Sequence, residues 1–207
     1  MLNGFIAVII AYLLGSIPSA YIVTRLATGK DIRQLGGGNA GARNVYHEVG
    51  FWPAAVVAVL DVGKGAAAVF IASLFLGSPQ VFVLAAGLAA VAGHMWSIYL
   101  KFTGGNGLAA SFGVLSLLMT RELLIAIAIM ILLIVITRNT VLSVNISLLS
   151  VPVTTWFLSK SWLFIVFTFV LLLMMVLNFL PTARAALVKA GSSGNLFDEL
   201  LRRKKVK

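Results

Sequence analysis

Residues Leu60–Gly107 read LDVGKGAAAVFIASLFLGSPQVFVLAAGLAAVAGHMWSIYLKFTGGNG. From Gly65 to Leu100 this stretch carries no charge, and Gly77-Ser78-Pro79-Gln80 in its middle is a turn signal. A bilayer core of about 30 Å needs roughly 20 apolar residues at ~1.5 Å each, so the stretch holds two spans joined by a tight turn. Outward from it, residues 1–24, 102–120, 123–137, 139–159 and 161–183 are also free of charge. The pattern predicts an all-α integral membrane protein with seven transmembrane helices, at about 2–24, 52–76, 81–100, 107–119, 122–137, 140–158 and 161–180. Residues 1–182 form that domain, and 183–207 a basic cytoplasmic tail.

Composition supports this. The chain has 207 residues, 60% hydrophobic and 11% charged, where a soluble domain is about one-quarter charged. Mean hydropathy is +1.05. Sixteen basic residues against six acidic ones give a net charge of +10. They lie between apolar runs and do not gather on one face, which argues against nucleic-acid binding. With no cysteine, disulfides, thiol nucleophiles and thiolate metal sites are excluded. A cleaved signal peptide fits residues 1–24 poorly, because no basic segment precedes the run and further spans follow.

Lys and Arg in the loops set orientation. One set of segments (25–51, 101–106, 138–139 and the tail) holds thirteen of them; the opposite set holds only Arg121 and Lys160, and Lys64 lies inside a helix. The N-terminus is therefore expected outside and the C-terminus in the cytoplasm. In the tail, Asn195 can cap a short helix bearing Asp198 and Glu199 in its first turn. The following Arg202-Arg203-Lys204-Lys205 suits anionic lipid headgroups.

Two cytoplasmic loops are candidates for chemistry. Gly36-Gly37-Gly38-Asn39-Ala40-Gly41-Ala42-Arg43-Asn44 lets a backbone approach a ligand closely, and successive N–H groups there can cradle an anion. Arg43 can add a bidentate phosphate contact. As a lone feature, such a loop is more often a flexible connector. The second loop, Lys101-Phe102-Thr103-Gly104-Gly105-Asn106-Gly107, leads into a short helix whose N-terminus favours an anion. Two such loops on one membrane face point to a shared anionic ligand. Within the spans, Asp61 and Lys64 are three apart on one helical face, and His94 lies at similar depth. These three form either an interhelical pair that glues the bundle or a support beneath the loops. Two histidines and few acids supply too few ligands for a metal.

In order and spacing, Leu14-Gly15-Ser16-Ile17-Pro18-Ser19, Gly41-Ala42-Arg43-Asn44-Val45, Leu60-Asp61 with Lys64-Gly65, Gly93-His94 and Gly104-Gly105-Asn106-Gly107 resemble the PlsY family. These are the bacterial membrane glycerol-3-phosphate acyltransferases that use acyl phosphate. The resemblance implies acyl transfer from acyl phosphate to the 1-hydroxyl of glycerol 3-phosphate, giving lysophosphatidic acid for phospholipid synthesis. It implies a bacterial inner-membrane enzyme with no cofactor and no metal. Substrate-binding candidates are then Gly36, Gly37, Gly38, Asn39, Arg43, Lys101, Gly104, Gly105, Asn106 and Gly107. Arg43, His47 and Asn106 are candidate catalytic residues, and Asp61, Lys64 and His94 intramembrane polar support. The chain departs from the family pattern at several positions. Gly37 stands for a serine, Arg43 for a threonine, His47 for an arginine, Asn106 for a lysine and Ser97 for a proline. The C-terminal His-Arg-Glu-Asn segment has no counterpart in Asn178-Phe179-Leu180-Pro181-Thr182-Ala183-Arg184. Two other readings stay open: a non-catalytic relative that binds a phosphorylated lipid or metabolite, and a small transporter, although no internal repeat is evident.

The charge bias predicts topology. A reporter fused at the C-terminus or within 25–51 should report cytoplasm, and one at Gly77 or Lys160 the outside. A cytoplasmic signal at Gly77 would overturn the seven-helix arrangement.

Overall fold

The computed structural model describes the backbone of residues 1–158 and 161–191, and their side chains except those of 140–142 and 181–191. Lys160 and the short helix expected after Asn195 lie outside the described residues. Among the described residues the fold is all helical, apart from a single isolated bridge between Ser97 and Thr103. In chain order the helices are α1 (Leu2–Ser16), α2 (Ser19–Thr28), α3 (Ala42–Glu48), α4 (Phe51–Phe70), α5 (Gln80–Met95), α6 (Leu108–Leu118), α7 (Thr120–Thr137), α8 (Thr140–Leu158) and α9 (Trp162–Gly191). A π turn, Ile71–Phe75, prolongs α4 up to the expected turn at Gly77–Gln80.

Four segments are long and apolar enough to cross a membrane: Leu2–Thr28, Phe51–Phe75, Thr120–Thr137 and Trp162–Leu180. Gln80–Met95, Leu108–Leu118 and Ser143–Leu158 are apolar but shorter. Four boundaries differ from the sequence expectation, and one of them is the end of α9, which runs to Gly191 where 180 was expected. Residues 2–24 are not one helix: Pro18 has no N–H to donate, so the chain unwinds at Ile17–Pro18 and restarts at Ser19. The third expected helix stops at Met95, five residues early, because Trp96–Thr103 folds into a compact turn. Residues 42–48, expected as loop, form α3.

Large apolar side chains such as Phe5, Val59, Leu132, Val135 and Leu173 point outward, while the interior is rich in alanine, glycine and valine, with a few larger residues such as Leu115, Met95 and Phe167. Lipid is as apolar as leucine, so close van der Waals contact holds such helices together, and small residues permit it. α1 lies along α5, and α4 along α6. A Cβ on Gly15 would collide with the Ala90 carbonyl, and one on Gly93 with the end of α1. Gly65 faces the Ala110 carbonyl and Gly113 the Val62 carbonyl with the same tightness. These contacts bring the break in α1–α2, the middle of α4 and the end of α5 to one place.

Candidate active site

At that place Asp61 is 1% exposed. Its Oδ1 accepts a hydrogen bond from Ser19 Oγ at 2.9 Å and pairs with Lys64 Nζ at 2.8 Å. His94 Nδ1 faces the same oxygen at 3.4 Å. Lys64 also donates to the Ile17 carbonyl at 2.9 Å, and Ser97 Oγ donates to the Ser16 carbonyl at 2.6 Å. Carbonyls exposed by a helix break inside a membrane must find donors. Here a buried ammonium and a buried hydroxyl supply them. A small cavity, lined among others by Ser16, Pro18, Asp61, Lys64, His94 and Gly104, lies between this cluster and the second glycine loop.

The two glycine loops meet. Asn39 Nδ2 donates to Asn106 Oδ1 at 2.5 Å, and the Ala40 N–H to the Gly104 carbonyl at 3.2 Å. The second loop also rests on α5: the Gly105 N–H donates to the His94 carbonyl at 3.0 Å. A Cβ on Gly104 would strike the His94 and Met95 carbonyls, and one on Gly105 the His94 ring at Nε2. From α9, Asn178 Nδ2 donates to the Gly105 carbonyl at 3.1 Å. Gly107, at φ +85°, turns the chain into α6. Among the described residues, the N–H groups of Asn106, Gly107, Leu108, Ala109 and Ala110 have no acceptor. They form a fan at a helix N-terminus, which suits an anion.

The first loop is braced internally. Asn44 Nδ2 donates to the carbonyls of Ile32 (3.3 Å) and Leu35 (3.0 Å), and its Oδ1 accepts the Gly37 N–H at 3.3 Å. The Gly38 N–H donates to the Leu35 carbonyl at 3.0 Å. Gly36 and Gly38 have φ of +55° and +72°, where a side chain would be strained. Arg43 and His47 are exposed on α3, and Arg43 has no side-chain partner among the described residues. His47 stacks edgewise on Tyr46. Lys101 is exposed at the start of the second loop, at φ 56°. Beside the first loop the Arg33 guanidinium, 2.7 Å from Asp31, holds that carboxyl below its ordinary pKa. Among the described residues, no three of His, Asp and Glu converge as metal ligands.

Asp61, Lys64 and His94 are thus brought together, as are Asn39, Gly104, Gly105 and Asn106, whereas Arg43 and His47 stand apart on a helix. Sequence reasoning gave no role to Ser19, Asn44, Ser97 or Asn178. Asn178 had a signal, as a lone amide in the apolar run 161–183.

The molecule is thus an all-helical apolar bundle with a buried polar cluster beneath two touching glycine loops. Residues 5–187 match the family described as glycerol-3-phosphate acyltransferase. Glycerol-3-phosphate acyltransferase 1 of Dehalococcoides mccartyi is 40% identical to this chain over 92% of it and 94% of the relative. The glycerol-3-phosphate acyltransferase of Endomicrobium trichonymphae is 41% identical over 85% and 88%. The crystal structure of PlsY, an integral membrane glycerol 3-phosphate acyltransferase, in its glycerol 3-phosphate form superposes with a TM-score of 0.81 at 26% identity, over 90% of this chain and 92% of that one. The chain belongs to the glycerol-3-phosphate acyltransferase family.

Lys64→Met removes the ammonium beside Asp61 and leaves a carboxylate buried among weaker donors. Breaking such a pair from one side costs about 3–5 kcal/mol, measurable as unfolding in detergent. Adding Asp61→Asn should recover most of it. A loss under about 1 kcal/mol would show the pair to be as weak as a surface ion pair.

Proposed function

We propose that this chain transfers a fatty acyl group from acyl phosphate to the 1-hydroxyl of glycerol 3-phosphate at the cytoplasmic face of a bacterial inner membrane. The hydroxyl oxygen attacks the acyl carbonyl carbon, and the carbon–oxygen bond to phosphate breaks. Inorganic phosphate leaves carrying the hydroxyl proton, and lysophosphatidic acid remains. The observation that carries this reading is the meeting of the two glycine loops where the α6 N-terminus opens, with unpaired N–H groups beside them. Reaction and product both involve phosphate oxygens, and these N–H groups bind such oxygens without a metal.

Roles follow from position. The N–H groups of Asn106 and Gly107 and the first turn of α6 hold one phosphate. Gly36, Gly37, Gly38 and Asn39 form the facing wall, with Gly104 and Gly105 as the floor. Arg43 and Lys101 are the cations within reach of an incoming dianion from their exposed positions. Asn106 stands where the family pattern has a lysine, so its neutral amide leaves more of the charge balance to these two. The acyl chain lies in the apolar bundle, and no cofactor is needed.

Seven spanning segments with an outside N-terminus fit this reading: the broken α1–α2, then α4, α5, α6, α7, α8 and α9. The contact between Asn39 and Asn106 supports it, because loops that touch must lie on the same membrane face. Residues 183–207 then form a basic tail against anionic headgroups.

The direct test uses purified protein in lipid nanodiscs with palmitoyl phosphate and glycerol 3-phosphate, and palmitoyl-CoA as the alternative donor. Lysophosphatidic acid and phosphate should form from the acyl phosphate. A folded protein that binds glycerol 3-phosphate without turnover would be the binding relative instead. Arg43→Ala should leave the fold intact, because the side chain is exposed. It should weaken glycerol 3-phosphate by about 1.5–3 kcal/mol, the range for hydrogen bonds to charged groups. An unchanged KM for glycerol 3-phosphate would remove Arg43 from the phosphate site.

A further inference from the structure

His94 touches the second glycine loop in two ways and the buried carboxylate in a third. Its carbonyl accepts the Gly105 N–H at 3.0 Å. Its ring edge at Nε2 lies so close to the Gly105 Cα that no side chain fits between them. Its Nδ1 faces Asp61 Oδ1 at 3.4 Å. The residue is 6% exposed, shielded by the loop it supports. Ring orientation is therefore set from below, by a carboxylate that Ser19 and Lys64 already fix. From the other side, Asn178 holds the Gly105 carbonyl. Gly105 is clamped at both its backbone groups, and the N–H fan of Asn106–Ala110 starts at the next residue.

We propose that His94 is a positioning residue for the acyl transfer: oriented by Asp61, it sets the height of the Gly104–Gly107 turn and hence the aim of the phosphate-binding N–H groups. It does not touch substrate. Its effect passes through Gly105, so its loss lowers acceptor binding more than the chemical step. A misplacement of about 1 Å at a positioned group can cost on the order of 100-fold, so an indirect contact of this kind has a measurable effect. The proposal rests on the acyl-transfer reading above.

Two variants separate the parts of the contact. His94→Asn keeps an amide near the Nδ1 position but removes the ring edge beneath Gly105. His94→Gln restores a polar atom near the Nε2 position. In the acyl-phosphate assay, His94→Asn should raise the KM for glycerol 3-phosphate at least about tenfold and change kcat less than about threefold, the pattern of lost binding. Its thermal midpoint in detergent should match the parent's, and His94→Gln should recover most of the KM. Equal KM values in parent and both variants would overturn the proposal. So would a loss confined to kcat, which would make the imidazole a direct proton carrier. So would equal damage in both variants. If the parent itself transfers no acyl group, the function reading fails and this one is read separately, by calorimetry with inorganic phosphate. His94→Asn should then weaken phosphate about tenfold, equivalent to ~1.4 kcal/mol, and unchanged phosphate affinity would overturn the positioning role.

Discussion

An ionised carboxylate inside a bilayer-spanning bundle is tolerable only if its charge is met at close range. Asp61 is met by the Lys64 ammonium, the Ser19 hydroxyl and the His94 imidazole. Each of these neighbours belongs to a different structural feature: α4 itself, the restart of the chain after Pro18, and the end of α5. The carboxylate consequently fixes three elements at one point. Lys64 extends the arrangement to the Ile17 carbonyl, so the same ammonium satisfies both the acid and the helix break.

That point is reachable only because the helices approach so closely. Gly15 and Gly93 join α1 to α5, and Gly65 and Gly113 join α4 to α6, each against a neighbouring backbone. Larger side chains would separate the helices by more than the Asp61 contacts can span. The α4–α6 contact also determines where the α6 N-terminus emerges. Packing within the membrane thereby sets the geometry of a site at its surface, and the glycine loops need little rigidity of their own. Much of the first loop's order comes from one side chain, Asn44, bonded to Ile32, Leu35 and Gly37.

Much of this was legible in the sequence. The apolar runs, the Gly77–Gln80 turn, the shared face of Asp61 and Lys64 and the two glycine loops all appear in the structure where the residues suggest. Local chemistry decides these features, so local reading suffices. Pro18 was equally local, and its missing N–H marked a break that the uninterrupted hydrophobicity of residues 1–24 concealed. The early end of α5 was less accessible: Trp96–Thr103 leaves the helix because its hydroxyls and carbonyls find partners in α1 and in the turn. The Asn178 bond to Gly105 spans 73 residues, and no periodicity reports a contact of that kind. Arg43 and His47 read as loop residues because glycines precede them, yet Gly41 ends the loop and α3 begins at Ala42.

Acylation of glycerol 3-phosphate asks for phosphate oxygens to be held steadily at the edge of an apolar bundle. A polar cluster whose charges are paired, buried beneath two touching loops, suits that need. The central claim is that the Asp61 cluster holds the second loop from beneath and, through it, the contact with the first. Hydrogen exchange of the parent and Asp61→Asn, compared in the same detergent, tests it most directly. The bonded amides of Ala40 and Gly105 should exchange at least about tenfold faster in the variant, equivalent to ~1.4 kcal/mol of local stability, while those of α7 and α8 keep their protection. Unchanged exchange at both amides would contradict the account.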